Sequence, residues 1–219
     1  MAARSHYEYQ LNEVQRALLQ LHSSVERAIK EALRALERHD VNAARRIVRA
    51  DDDIDERRAN VEERVLRLIA AQQPLATDLR FLLGVLRIAD ELERIGDYAE
   101  GIAALVIRDV DQETISEPLE LTLLAEQVQT MLQLSVTAFI ERDASKAAQL
   151  EQADDRADEL SAAVQAAMLQ RLQAEPRQAS SALHMLFVAH NLERIADRAV
   201  NIGERTSFIV TGTLTHRHS

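Results

Sequence analysis

One segment of this chain is written twice. Leu92-Glu93-Arg94-Ile95-Gly96-Asp97-Tyr98-Ala99 returns as Leu192-Glu193-Arg194-Ile195-Ala196-Asp197-Arg198-Ala199. Between 91–102 and 191–202 seven of twelve positions are identical, where ordinary composition gives roughly one. The match extends backwards at a slightly different offset: Gln73-Pro74 faces Glu175-Pro176, and Asp52-Asp53 faces Asp154-Asp155. A period of about 100 residues is a domain duplication, because solenoid repeats are shorter. The chain must therefore fold as two copies of one unit.

The unit is helical. Five Gly and three Pro in 219 residues leave little punctuation for strands and tight turns, and strong helix formers dominate. Prolines 74, 118 and 176 divide the chain, since helices start at proline more readily than they run through it. The pattern predicts six helices, at 6–38, 41–72, 75–110, 118–142, 144–174 and 177–210. In the first, Leu11, Val14, Leu18, Leu21, Val25, Ile29 and Ala32 recur at steps of three and four. The expected fold is all-α, two tandem pseudo-symmetric antiparallel three-helix bundles, because short connections between long helices make antiparallel neighbours. The first repeat spans 1–110 and the second 118–211. The acidic stretch 111–117 reads as the linker, and 212–219 as a disordered tail.

Aromatics are 3% of the chain, so the core is aliphatic. With no Cys there are no disulfides and no thiolate metal sites. A net charge of −10 disfavours nucleic acid and anionic lipid as partners. The polar stretch 1–10 does not read as a signal peptide. The longest uncharged stretch, 178–192, is too short and polar to span a bilayer. The expected location is the cytoplasm.

A helix turns about 100° per residue. This places Asp90, Glu93, Asp97 and Glu100 on one stripe, with Ile88, Leu92, Ile95, Ala99 and Ile102 opposite. In the second repeat His190, Glu193, Asp197, Asn201 and Glu204 share the equivalent stripe. One reading is the solvated face of an amphipathic helix. The other starts from Glu93/Asp97 and Glu193/Asp197, like charges at i,i+4 that cost a few tenths of a kcal/mol. A repeated cost suggests compensation, which a bound cation would supply. A further acidic cluster, Asp51-Asp52-Asp53-x-Asp55, opens the second helix, and Asp154-Asp155 with Asp158 holds the matching place. Solvated acids near a helix start and additional ligands both account for it. Asp90 and Arg94, at i,i+4, read as a surface ion pair.

Oxygen-only donors suit hard cations such as Mg, Ca, Mn or iron. No Glu-x-x-His, His-Glu-x-x-His, Walker loop or nucleophile elbow occurs in the chain. No catalytic residue is therefore assigned. A carboxylate-liganded metal-dependent enzyme remains the alternative.

These residues resemble the PhoU family of regulators of bacterial phosphate uptake. The resemblance rests on Ser5-His6-Tyr7-Glu8, on the segment Gln72-Gln73-Pro74-Leu75-Ala76-Thr77-Asp78-Leu79-Arg80, and on both Glu-Arg-Ile-x-Asp helices. It implies metal binding at Glu93/Asp97 and Glu193/Asp197, with Asp52, Asp53, Asp154 and Asp155 as further cluster ligands. Asp90, Glu100 and Asn201 complete the candidate set. The implied metal is divalent or trivalent, iron in multinuclear clusters, with Mg, Mn or Zn as other options. Asn191 replaces Glu91 and Val200 replaces Glu100 in the second copy, so the two sites are expected to differ. The resemblance also implies a non-enzymatic, often dimeric adaptor between the phosphate-specific ABC transporter, through its ATPase subunit, and a sensor histidine kinase. Such a protein restrains uptake and the starvation response, in the cytoplasm or peripherally at the inner membrane. An accessory of another anion transporter would carry the same motif.

Overall fold

The computed structural model describes residues 2–109 and 117–213, with side chains from residue 6. The helices are Ala2–Arg38 (α1), Val41–Gln72 (α2), Ala76–Arg108 (α3), Leu119–Glu141 (α4), Ala144–Ala174 (α5) and Ala179–Thr211 (α6). A single 3-10 turn, Pro176–Gln178, precedes α6. There is no strand among the described residues. Helix α1 begins four residues earlier than periodicity predicts. The predicted linker, apart from Glu117, and the tail beyond Thr213 lie outside the described residues.

The two halves close their first hairpin with the same turn. His39 and Arg142 take left-handed backbone, φ 50° and 52°. The next residue in each case sends its N–H back five residues, Asp40 to the Ala35 carbonyl and Asp143 to the Ala138 carbonyl, both at 2.9 Å. This six-to-one bond satisfies a carbonyl that the helix end would leave bare. The same aspartates then cap the following helix. Asp40 accepts from the Ala43 N–H at 2.9 Å, and Asp143 from the Ser145 N–H at 2.8 Å.

Helices α1–α3 pack on one another, as do α4–α6, and α3 packs on α6 to join the repeats. The core is aliphatic apart from its methionines and Phe81 and Phe139, whose rings stack with centroids 6.0 Å apart. Its pattern sets the register between repeats. Ala44, Ile47, Ile54, Val61 and Val65 of α2 are buried, and Ala147, Leu150, Ala157, Val164 and Met168 of α5 are buried at one constant separation. That register pairs Asp51 with Asp154 and Asp55 with Asp158. It lies one residue from the expected pairing of Asp52-Asp53 with Asp154-Asp155.

Helices α3 and α6 run antiparallel about a pseudo-twofold axis. Glu91 Oε2 lies 3.2 Å from Arg198 Nη1 and accepts from Asn201 Nδ2 at 3.2 Å. At one end Gly84 packs under Ile209. At the other, the equivalent places hold His184 and Asp109, whose Nδ1 and Oδ1 are 2.8 Å apart.

Candidate metal centre

The first acidic site is built by two helices. Ile54 of α2 is buried against Gly96 of α3, where an added Cβ would stand 3.0 Å from the Ile54 Cδ1. A larger residue at position 96 would push the helices apart. Asp51 and Asp55 flank Ile54 at steps of three and one, so the close approach brings both toward the α3 stripe. Asp51 feels the charges of Glu100, Asp97, Asp55 and Glu93. Burial, with those charges, pushes its carboxyl from the ordinary 3.8 up to about 6. Glu93, Asp97 and Glu100 are raised as well, each first by burial and then by acidic neighbours.

Helix two sets Asp51 and Asp55 electrostatically against the stripe. Of the expected Asp52 and Asp53, both exposed as Asp55 is, Asp53 lines one groove with Asp51, Gly96 and Glu100 and another toward α1 with Gln20, Arg57 and Arg64. Asp90 sits at the edge of the cluster. It raises Glu93 and lies 3.7 Å from Arg58, a contact made in place of the expected pairing with Arg94.

The second stripe is less acidic. Val200, buried, stands where Glu100 stands in the first. Glu193 accepts from Ser161 Oγ at 3.1 Å, and Asp197 pairs with Arg194 at 3.1 Å. Asp154 is half-buried on α5 and Asp155 is exposed. Asn201 borders two faces, and the structure turns it to Glu91 across the repeat interface, away from the carboxylates. His190 is exposed. Among the described residues, no three acidic or histidine side chains already form a coordination shell.

Comparison with known proteins gives this arrangement a context. The family model described as the PhoU domain matches the chain twice, over residues 18–106 and 121–206. The chain belongs to the PhoU family. Among curated members, a phosphate-specific transport system accessory protein PhoU homolog of Clostridium acetobutylicum is 34% identical over 95% of this chain and 96% of its own. The Aquifex aeolicus homolog is 33% identical over 95% of each. The crystal structure of PhoU from Pseudomonas aeruginosa superposes with a TM-score of 0.89 at 31% identity, covering 94% of this chain and all of that one. The phosphate transport system regulatory protein PhoU of Streptococcus pneumoniae gives the same TM-score at 28% identity. These are transport accessory and regulatory proteins, not enzymes, and the enzyme alternative falls with them. No helix among the described residues is long and apolar enough to cross a membrane.

The donor chemistry of the first stripe, five oxygen-donor side chains, is of the kind hard cations take, while Arg58 and Arg94 act on Glu93 and Asp97 and Arg27 and Arg57 line the groove beside Asp51 and Glu100. A cation there would add counter-charge. The cluster also predicts the pH behaviour of metal-free protein. Asp51 holds its proton to about pH 6 when folded and to 3.8 in its ordinary state. The folded state thus binds more protons between those values, and stability falls as pH rises through that window. Asp51 is mostly solvated, so screening reduces the effect to roughly 1 kcal/mol. His22, largely buried, is lowered first by that burial and acts with the opposite sign, losing stability as pH falls. Comparison with Asp51→Asn isolates the carboxylate. In chelator, melting temperatures from pH 4.5 to 7 are expected to decline less steeply in Asp51→Asn than in wild type, and equal slopes would count against the cluster.

Proposed function

We propose that this chain is a cytoplasmic negative regulator of phosphate uptake and of the phosphate-starvation response. In this reading it acts as a metal-binding adaptor between the ATPase subunit of a phosphate-specific ABC transporter and a sensor histidine kinase. The observation that carries the reading is end-to-end similarity to phosphate-specific transport accessory proteins, across both repeats. The physical support is secondary. Both repeats display acidic stripes on rigid helices, and a cation bound there would set the charge of the surface offered to partners.

The test is genetic and biochemical. Deletion is expected to derepress a phosphate-responsive reporter at high phosphate, and wild-type chain to restore repression. Tagged chain is expected to recover the transporter ATPase and the kinase from phosphate-replete cells. A reporter that stays repressed on deletion, with neither protein recovered, would sink the proposal.

A further inference from the structure

The two ends of the α3–α6 seam are related by the pseudo-twofold axis, yet their side chains differ. Beside Gly84 and Ile209 lies a cleft of about 450 Å³ between α2, α3 and α6. Its lining includes Leu83, Leu86 and Phe208, with Arg58, Arg87 and Arg205 and the carboxylates Glu62 and Asp90, both set against Arg58, around them. Leu83 is 47% exposed, and Val210 nearby is 40% exposed. Arg58 is already committed, to Glu62 at 2.9 Å and to Asp90 at 3.7 Å. Arg87 and Arg205 have no ion pair among the described residues, and the Arg205 Nε is buried without a hydrogen-bond partner.

The fold does not require these features. At the pseudo-equivalent end, Phe187 replaces Arg87 and buried Leu105 replaces Arg205. The place of Gly84 is filled by His184, tied to Asp109. Both ends expose apolar side chains, Leu83 at one and Leu183 with Phe187 at the other; one carries its own ion pair, while this one sets Arg87 and Arg205 beside its apolar floor on a chain of net charge −10.

We infer that this cleft docks an acidic amphipathic helix of a partner protein. An apolar anchor would enter between Leu83, Leu86 and Phe208, and flanking carboxylates would meet Arg87 and Arg205. The helix-in-groove mode supplies apolar anchors at turn spacing, and guanidinium–carboxylate pairing supplies sign and geometry. A free inorganic anion would meet the two guanidiniums but leave the apolar floor unfilled. The inference names a surface for the adaptor reading and rests on it only in that the chain works by contacting other proteins.

The experiment uses the full chain and a displayed library of amphipathic helices about 18 residues long, sized to the helical motifs of such grooves. Each helix carries Leu or Phe anchors, flanked by Glu in half the library and by Lys in the other half. Glu-flanked helices are expected to enrich. Their affinity is expected to fall roughly tenfold or more on Arg87→Glu, as for a charge reversal at a docking face. Arg87 is exposed, so the substitution leaves the fold intact, which circular dichroism checks. Equal or Lys-favouring enrichment, or binding indifferent to Arg87→Glu, would overturn the inference. Competition by millimolar inorganic phosphate would make the cleft an anion site and also overturn it. A changed sedimentation mass for Arg87→Glu would assign it to self-association. The reporter assay above tests the adaptor reading separately, since deletion can derepress whether or not this cleft is used.

Discussion

Addition of Mn²⁺ or Fe²⁺ to chelator-treated protein is expected to raise the melting temperature by roughly 5–10 °C, the largest gain that any single change to this chain should give. The size follows from linkage. A ligand at a hundred times its Kd stabilises the folded state by about 2.7 kcal/mol, and a chain of this length shifts by about 2–4 °C per kcal/mol. The cause is the first acidic stripe, where burial first, and then acidic neighbours that include Asp55, raise the proton affinity of Asp51, Glu93, Asp97 and Glu100. Asp97→Asn should remove most of the metal-induced shift and leave the apo protein slightly more stable. Asp52→Asn, on an exposed residue off the stripe, should leave the shift intact. Asp197→Asn should remove the smaller part, because Val200, the Arg194 pair and the Ser161 hydrogen bond already make the second stripe less acidic. Scanning fluorimetry with Mn, Fe, Mg and Zn decides it. No shift with any of the four at millimolar concentration would leave the solvated-face reading standing.

Glu91→Ala is expected to lower stability by roughly 2–3 kcal/mol, the cost of leaving one member of a largely buried pair alone. The Glu91 side chain is 12% exposed and that of Arg198 is 18% exposed. Removing the carboxylate strands the guanidinium and one Asn201 amide hydrogen between the repeats. The Arg198 Nε is already buried without a partner, so the group has no other acceptor. Glu91→Gln keeps an acceptor for Asn201 and should recover part of the loss. Urea denaturation of Glu91→Ala, Arg198→Ala and the double variant measures the coupling. A coupling below about 0.5 kcal/mol, the level at which independent sites add, would show that the pair does not join the repeats.

The helical class and the duplication could be read from the chain alone, because scarce Gly and Pro and a repeated segment are local facts. The α3 stripe was also readable as a helix face. Glu93, Asp97 and Glu100 share one helix, and a wheel needs no tertiary knowledge. For α2, the apolar row Ile47, Ile54, Val61, Val65 and Leu68 fixes the buried side and leaves Asp51 nearest it, with Asp53 and Asp55 about 100° away on either side, so which of these two turns to α3 is decided by packing. Contacts across the seam, Glu91 with Arg198 and Asp109 with His184, were beyond reach. Their partners lie about one repeat apart, and residues so separated in sequence meet only through topology.

The asymmetry of the seam has a consequence for the halves as molecules. A copy of the first repeat paired with itself through α3 would set Glu91 against Tyr98 and Gly101, and Gly84 against Asp109. A copy of the second would set His184 against Ile209, and Arg198 against Asn191. Neither pairing contains the Glu91–Arg198 bridge or the His184–Asp109 bridge. Each half carries only one side of both locks. The chain is built like a heterodimer whose subunits share a single polypeptide, and its covalent connection guarantees one-to-one mating between halves that would form neither bridge when paired with themselves.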